Sequence, residues 1–304
     1  MSSAVFDVSN FASAALRSST PVLLVLLGET LTQRVGVINL GVEGQMLVGA
    51  LAGFAFTAIT GNPWAGIFLG MLTGMALSAV HGVLCLHFKA NQIASGVAVM
   101  ILGTGLSGFY GIPYVGQKIN GLGTLSNGVL SQVPIISQLT PSVLVALVLT
   151  PLVGLWLYRT RTGLYWRSVG ESPDIARNLG ISPLGIQWGG ILVGGLFSGL
   201  AGSALSVDYT QNWIEGMSGG RGLVAVGLVI VARWNPYYAL PAALLFGGAE
   251  SLYLRLQAIG LGVSPYLLST LPYLIPLLVL LASTRSIRAT GGGMPQGLKA
   301  VFSS

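Results

Sequence analysis

The apolar residues of this chain run in long blocks, over 21–27, 47–60, 141–158 and 266–282, instead of alternating or marking one face of a helix. Several blocks approach the roughly 20 residues that cross a bilayer as helix. The pattern predicts an all-α polytopic transmembrane helix bundle with about nine membrane segments, at 14–33, 37–59, 64–87, 92–113, 141–158, 184–207, 222–233, 237–257 and 266–283. No stretch between them could stand alone as a soluble domain. Residues 1–304 therefore read as one transmembrane domain, with a loop at 159–182 and a tail at 284–304 on one side.

Two segments depart from ordinary spans. The block 36–53 has glycine at 36, 41, 44, 49 and 53, with Asn39, Glu43 and Gln45 among them. A carboxyl group at membrane depth is costly unless it faces protein or water, so this stretch is expected to line something. The segment 222–233 supplies only about 18 Å of helix, short of the roughly 30 Å hydrocarbon core. It reads as a half-helix entered through the glycine-rich run 216–222, and broken helices of this kind gather at transport sites. A short span completed by Trp213 and Ile214 is the other reading.

Within the polar loop, 171–181 has the punctuation of a short helix. Ser172 can cap its start, Pro173 suits the first helical position, Asp174 complements the positive end and Gly180 can terminate it. Such an element between two spans points to docking, or else to an interfacial helix resting on headgroups through Ile175 and Leu179.

Composition agrees: 53% of residues are hydrophobic, 7% are charged and the mean hydropathy is +0.78, against about a quarter charged in soluble domains. Membrane lipid is the expected solvent. The 44 glycines are tolerated there because they permit close helix contact. The pairs 70/74, 190/194 and 195/199 have the Gly-x-x-x-Gly spacing of such crossings. The single cysteine, Cys85, excludes an internal disulfide. The stretch 1–10 lacks a basic region ahead of an apolar one, so the first span is expected to stay as an anchor. A net charge of +6 raises the question of nucleic acid, but the charges sit between hydrophobic blocks and not in a basic patch. With the loop after Tyr158 cytoplasmic, all 14 Lys and Arg residues except Arg17, Lys118, Arg221 and Arg255 fall inside. Topology accounts for that distribution, and it puts the amino terminus outside and the carboxyl terminus inside.

Four stretches resemble the permease family of bacterial ABC importers for branched-chain amino acids, simple sugars and nucleosides, and within it the nucleoside-type branch. They are the glycine-rich 36–46 with Glu43, Asn91 to Gly96, the region 163–181, and Gly220-Arg221-Gly222 followed by Arg233-Trp234-Asn235-Pro236. The likeness extends from about Gly28 to Arg285. It implies a multi-pass protein of the inner or plasma membrane, with two permease chains, like or unlike, two ATPase chains and an extracytoplasmic solute-binding protein. It also implies a coupling helix that meets the ATPase, here Glu171, Ser172, Pro173, Asp174, Ala176, Arg177 and Gly180. The solute implied is small and polar, a nucleoside first, with a sugar or riboflavin as the alternatives the same landmarks allow.

The chain has no G-x-x-x-x-G-K-[ST] phosphate loop. ATP and Mg would belong to the partner ATPase, with no cofactor on this chain, no catalytic residue and no metal site. Alternating access would follow a shift of the coupling helix. Along the pathway, Asn39 and Glu43 stand at i and i+4, with Gln45 near. They could hydrogen-bond a solute, or Glu43 could fix the broken helix instead. Glu29 with Gln33, and Glu250, are further candidates. In an ion-coupled secondary transporter Glu29, Glu43 or Glu250 would hold the ion. Gly103 to Gly108 matches G-x-G-x-x-G but has no strand before it, and 216–220 matches G-x-S-x-G with no histidine near. His81 and His87 are six apart, off the spacing that shares a helix face.

Overall fold

The computed structural model describes residues 8–124, 138–260, 264–289 and 293–303. Most of the start discussed above, 1–7, lies outside them. Among the described residues, seven helical segments are long and apolar enough to cross a membrane. They are α1 (Val8–Arg34), α2 (Val42–Thr60), α3 (Pro63–Gly82, continued by a π-helical turn to His87), α4 (Gln92–Gly111), α5 (Pro141–Arg159), α8 (Pro183–Ser203, continued to Tyr209) and the pair α11–α12 (Pro265–Leu268, Leu271–Ala289). The other two predicted segments, α9 (Arg221–Val231) and α10 (Ala239–Ile259), are limbs of one broken unit bent by 116°. The loop after α5 carries two helices where one was expected, α6 (Arg161–Glu171) and α7 (Pro173–Asn178), and α13 (Gln296–Ser303) follows α12.

α1 runs through the middle, buried from Ser18 to Gln33, with α8 and α10 against it. α2, α3 and α8 interlock because glycines let their backbones touch. A Cβ on Gly49 would lie 2.6 Å from the Gly199 Cα, and one on Gly74 would lie 2.5 Å from the Gly195 carbonyl. Hydroxyls bridge the same crossings: Ser78 donates to the Ile191 carbonyl at 2.6 Å and Ser206 to the Ala50 carbonyl at 2.7 Å. Lipid offers helices no hydrophobic drive to associate, so close packing and such bonds supply the cohesion. The outer helices α4, α5 and α12 expose Ile101, Phe109, Val148, Leu278 and Leu281, a lipid-compatible skin.

Two expectations are corrected. The chain over 36–41 is not helical, so Asn39 and Glu43 do not share a helix face, and α2 begins only at Val42. Trp213 and Ile214 do not lengthen the half-helix. Trp213 is buried beside Gly111, and Gly216, Gly219 and Gly220 turn the chain at positive φ before α9 starts.

Arg34 lies at the end of the bundle bearing α6 and α7. Arg34 donates from Nε to the Trp234 carbonyl at 2.8 Å and from a terminal nitrogen to the Tyr158 hydroxyl at 3.2 Å. The tail returns to this end: Leu298 is buried, and the Gln296 amide donates to the Glu171 carboxylate at 3.3 Å. Arg221 departs from the scheme. It is no outer-loop charge but the first residue of α9, paired with Glu250 inside the bundle.

Candidate functional site

Glu43 lies in the first turn of α2 and is 7% exposed. Its Oε1 accepts from the Ser218 hydroxyl at 2.5 Å and the Gly220 amide at 2.7 Å. Its Oε2 accepts from the Gly222 amide at 2.7 Å and the Leu223 amide at 3.4 Å. The first amides of any helix lack intrahelical partners and carry the positive end of its dipole. α9 starts among buried residues, and a carboxylate from another helix caps it. Gly222 is required at this contact, since a Cβ there would fall 2.7 Å from Glu43 Oε2 and 2.9 Å from its Cα. Both carboxylate oxygens thus accept hydrogen bonds from the break.

Asn39 and Gln45 belong to a different group. The Asn39 side chain donates to Gln45 Oε1 at 3.2 Å and accepts from the Gly41 amide at 2.9 Å. Its own amide donates to Glu29 Oε1 at 3.1 Å, which also accepts from Gln33 at 2.9 Å. Gln33 in turn accepts from the Trp234 indole at 2.6 Å. This chain of polar groups ties the end of α1, the non-helical 36–41 and the residues after α9. Glu29 Oε2 and Gln45 Nε2, both buried, have no partner among the described residues.

Glu250, on α10, pairs with Arg221 at 2.5 Å, both side chains largely buried. The Arg221 guanidinium also donates to the Met217 and Ser218 carbonyls and lies 5.7 Å from the Phe246 ring. Tyr273 of α12 donates to the Gly219 carbonyl at 2.5 Å. The half-helix is therefore held at its start from α2, α10 and α12 together. Removing one partner of a buried pair strands the other charge, at about 3–5 kcal/mol. Arg221→Gln should accordingly lower the melting temperature of the detergent-purified chain, and adding Glu250→Gln should restore most of the loss. A double variant no better than the single would mean that the pair is not the unit of stability.

The short helix of the loop forms where the punctuation placed it. Ser172 accepts from the Ile175 amide at 3.4 Å, Pro173 opens α7, and Gly180 ends the turn at φ +78°. Asp174 and Arg177 form an exposed pair at 3.0 Å, which solvent leaves with little energetic weight. Ala176 is buried and anchors α7, whereas Ile175 is 62% and Leu179 72% exposed. Behind α7, Gly170 presses on the end of α1: a Cβ there would meet the Arg34 carbonyl at 2.0 Å. Gly36 and Gly297 lie against the same glycine. α6 thus touches the break before α2 through backbone contact at Gly170, and Arg34, at the same place, bonds the Trp234 carbonyl after α9.

Ser218, Arg221 and Trp234 carry structure that the sequence reading did not assign. Ser218 was visible only as part of a hydrolase look-alike, although a buried acid on another helix needs donors. In the G-x-G-x-x-G run, Gly103 packs on the Gly44 backbone while Gly105 meets open space. His81 bonds Ser95 at 3.0 Å and the Ile38 carbonyl at 3.1 Å, holding the non-helical stretch to α3 and α4.

A bundle of apolar spans with a broken helix pinned by buried polar groups and a small helix pair at one end suits a transport subunit. Residues 11–283 match the family described as the permease component of the branched-chain amino acid transport system, and the chain belongs to that family: it is a permease component of an ABC transporter and a multi-pass membrane protein. It is 38% identical, over 91% of its own length and 93% of the relative's, to a putative glucose ABC transporter permease protein of Haloferax volcanii. It is 33% identical to a guanosine ABC transporter permease protein of Bacillus subtilis, covering 79% of this chain and 80% of that one. A second guanosine permease protein of the same Bacillus is 22% identical, over 81% of this chain and 74% of that one. No solved structure matches.

Proposed function

We propose that this chain imports a nucleoside, paired with an unlike permease and driven by two separate ATPases that α7 engages, with solute delivered by a binding protein. The observation that carries the transport role is the half-helix α9, held at its start by Glu43 and joined through Arg34 and Trp234 to the α6–α7 end. ATP-driven movement of the ATPases shifts α7, and the backbone contact at Gly170 passes the shift to both broken segments. The exposed Ile175 and Leu179 give α7 an apolar surface for the ATPase, with Glu171, Asp174 and Arg177 around it. The guanosine relative supports the nucleoside reading. The unlike partner is supported by the two guanosine permease proteins of one Bacillus, of which this chain is much nearer to one.

A glucose importer is the second reading, favoured by the higher identity to the Haloferax protein. Reconstitution of the complex with its companion chains, followed by uptake of radiolabelled guanosine and glucose, separates them. ATP-dependent guanosine uptake is expected. Uptake by vesicles holding this chain alone, abolished by an uncoupler, would instead mark an ion-coupled carrier.

Charge reversal at Glu171 and Asp174 together should leave the chain folded and ATP hydrolysis measurable while uptake falls at least about tenfold, a change of 1.4 kcal/mol in coupling. Unchanged uptake per ATP hydrolysed in that double variant would remove α7 from the coupling path.

A further inference from the structure

The end of the bundle opposite α6 and α7 holds a cavity of about 530 Å³ between the first turns of α1, the end of α8 and the last turns of α10. That volume lies in the roughly 300–1,000 Å³ range of small-molecule sites. Arg17, Tyr209, Ser251 and Arg255 give it a polar lining, with Ala14, Leu254 and Ala258 between them.

The lining is rich in donors. Guanidinium groups donate hydrogen bonds and accept none, and the Tyr209 and Ser251 hydroxyls can also donate. Neither neighbouring carboxylate lines the space. Asp208, beside Tyr209, is buried and takes the Ser142 hydroxyl, and Glu250, beside Ser251, is committed to Arg221. The Arg17 Nε has no hydrogen-bond partner among the described residues. Arg255 is steadied by the Phe11 ring, 5.2 Å from its guanidinium. Tyr209 lies within electrostatic reach of Arg17 on one side and of the Arg221–Glu250 pair on the other. The cavity therefore stands next to the polar group that holds the half-helix.

We infer that this cavity receives the solute, and that it takes a flat heterocycle with paired acceptor atoms on one edge by donating to that edge from Arg17 and Arg255 beside the Tyr209 ring. An arginine fork matches paired acceptors such as the O6 and N7 of guanine, and aromatic rings stack on bases of any sequence. The inference rests on the nucleoside reading above and deepens it.

The test uses the whole complex in proteoliposomes, with guanosine as probe and the binding protein at saturating concentration, so that uptake reports events after delivery. Arg17→Gln with Arg255→Gln should cut guanosine uptake at least tenfold while the affinity of the complex for its binding protein stays unchanged. Ala258→Phe, at an exposed position on the rim, should cut uptake by filling the space with both arginines intact. Wild-type guanosine uptake that neither variant lowers would overturn the cavity assignment alone. Weakened association with the binding protein in the arginine variant would also overturn it, since the arginines would then dock protein and not solute. A wild-type complex that imports glucose but no guanosine would instead overturn the nucleoside reading, and the inference with it.

Discussion

Glu43→Ala should abolish uptake and lower the melting temperature of the purified chain more than any other single polar substitution in the bundle. Three backbone amides and the Ser218 hydroxyl converge on that carboxylate. Each buried donor left without a partner costs about 1–3 kcal/mol, so the loss is expected to reach at least about 3 kcal/mol. Lipid raises the penalty, because no water can enter to replace the acceptor. Glu43→Gln keeps the size and one acceptor oxygen but turns an amide donor toward amide donors. It should fall between wild type and alanine in stability and still lose most uptake. Ser218→Ala removes one bond of the four and should cost about 1 kcal/mol. The decisive comparison is melting temperature beside uptake. A Gln variant with wild-type stability and no transport would give Glu43 a direct part in moving solute, and a variant normal in both would dismiss the cap.

Gly202→Ala should leave little folded protein, although it adds a single methyl group. A Cβ at Gly202 would lie 1.8 Å from the Met46 carbonyl and 2.8 Å from the Ala50 amide. Both are backbone atoms of α2, so no side chain can swing aside. The two helices would have to separate, breaking the glycine contacts that hold α3 as well. Overpacking of a core usually costs about 1–3 kcal/mol where side chains can adjust, and here the cost should exceed that range. Gly105→Ala is the matched control, since nothing stands within 4 Å of the added carbon. Its helix should gain up to about 1 kcal/mol from alanine's better propensity. Expression level and melting temperature of the two variants measure the difference. A well-folded Gly202→Ala chain would show that α2 and α8 do not cross as tightly as described.

Much of the coupling loop was legible because its signals are local. A cap, a proline and a terminal glycine act within four residues of each other, and α7 begins at Pro173 and ends before Gly180 as those signals require. The second helix of the loop, α6, was not legible. Its buried Trp166, Val169 and Gly170 make sense only against neighbours far away in sequence. The glycine pairs at 70/74 and 195/199 announced close crossings, but which glycine meets which was a matter of three helices packing at once. Asn39 and Glu43 were misjudged for the same reason. Their spacing suggested one face, and the unwinding of 36–41 sends them to different partners.

The amino-acid sequence by itself determined the solvent, the number of hydrophobic segments and the shortness of α9. These follow from transfer free energy and helix rise, which depend on residue type and length alone. It also placed a costly acid, Glu43, at membrane depth. Only the tertiary structure decided what that acid does, because its four donors come from residues more than 170 positions away. The pairing of Arg221 with Glu250 and the return of the tail to Glu171 were decided in the same way. Buried polar groups must find partners wherever the packed backbone brings them, and sequence distance carries no information about where that is.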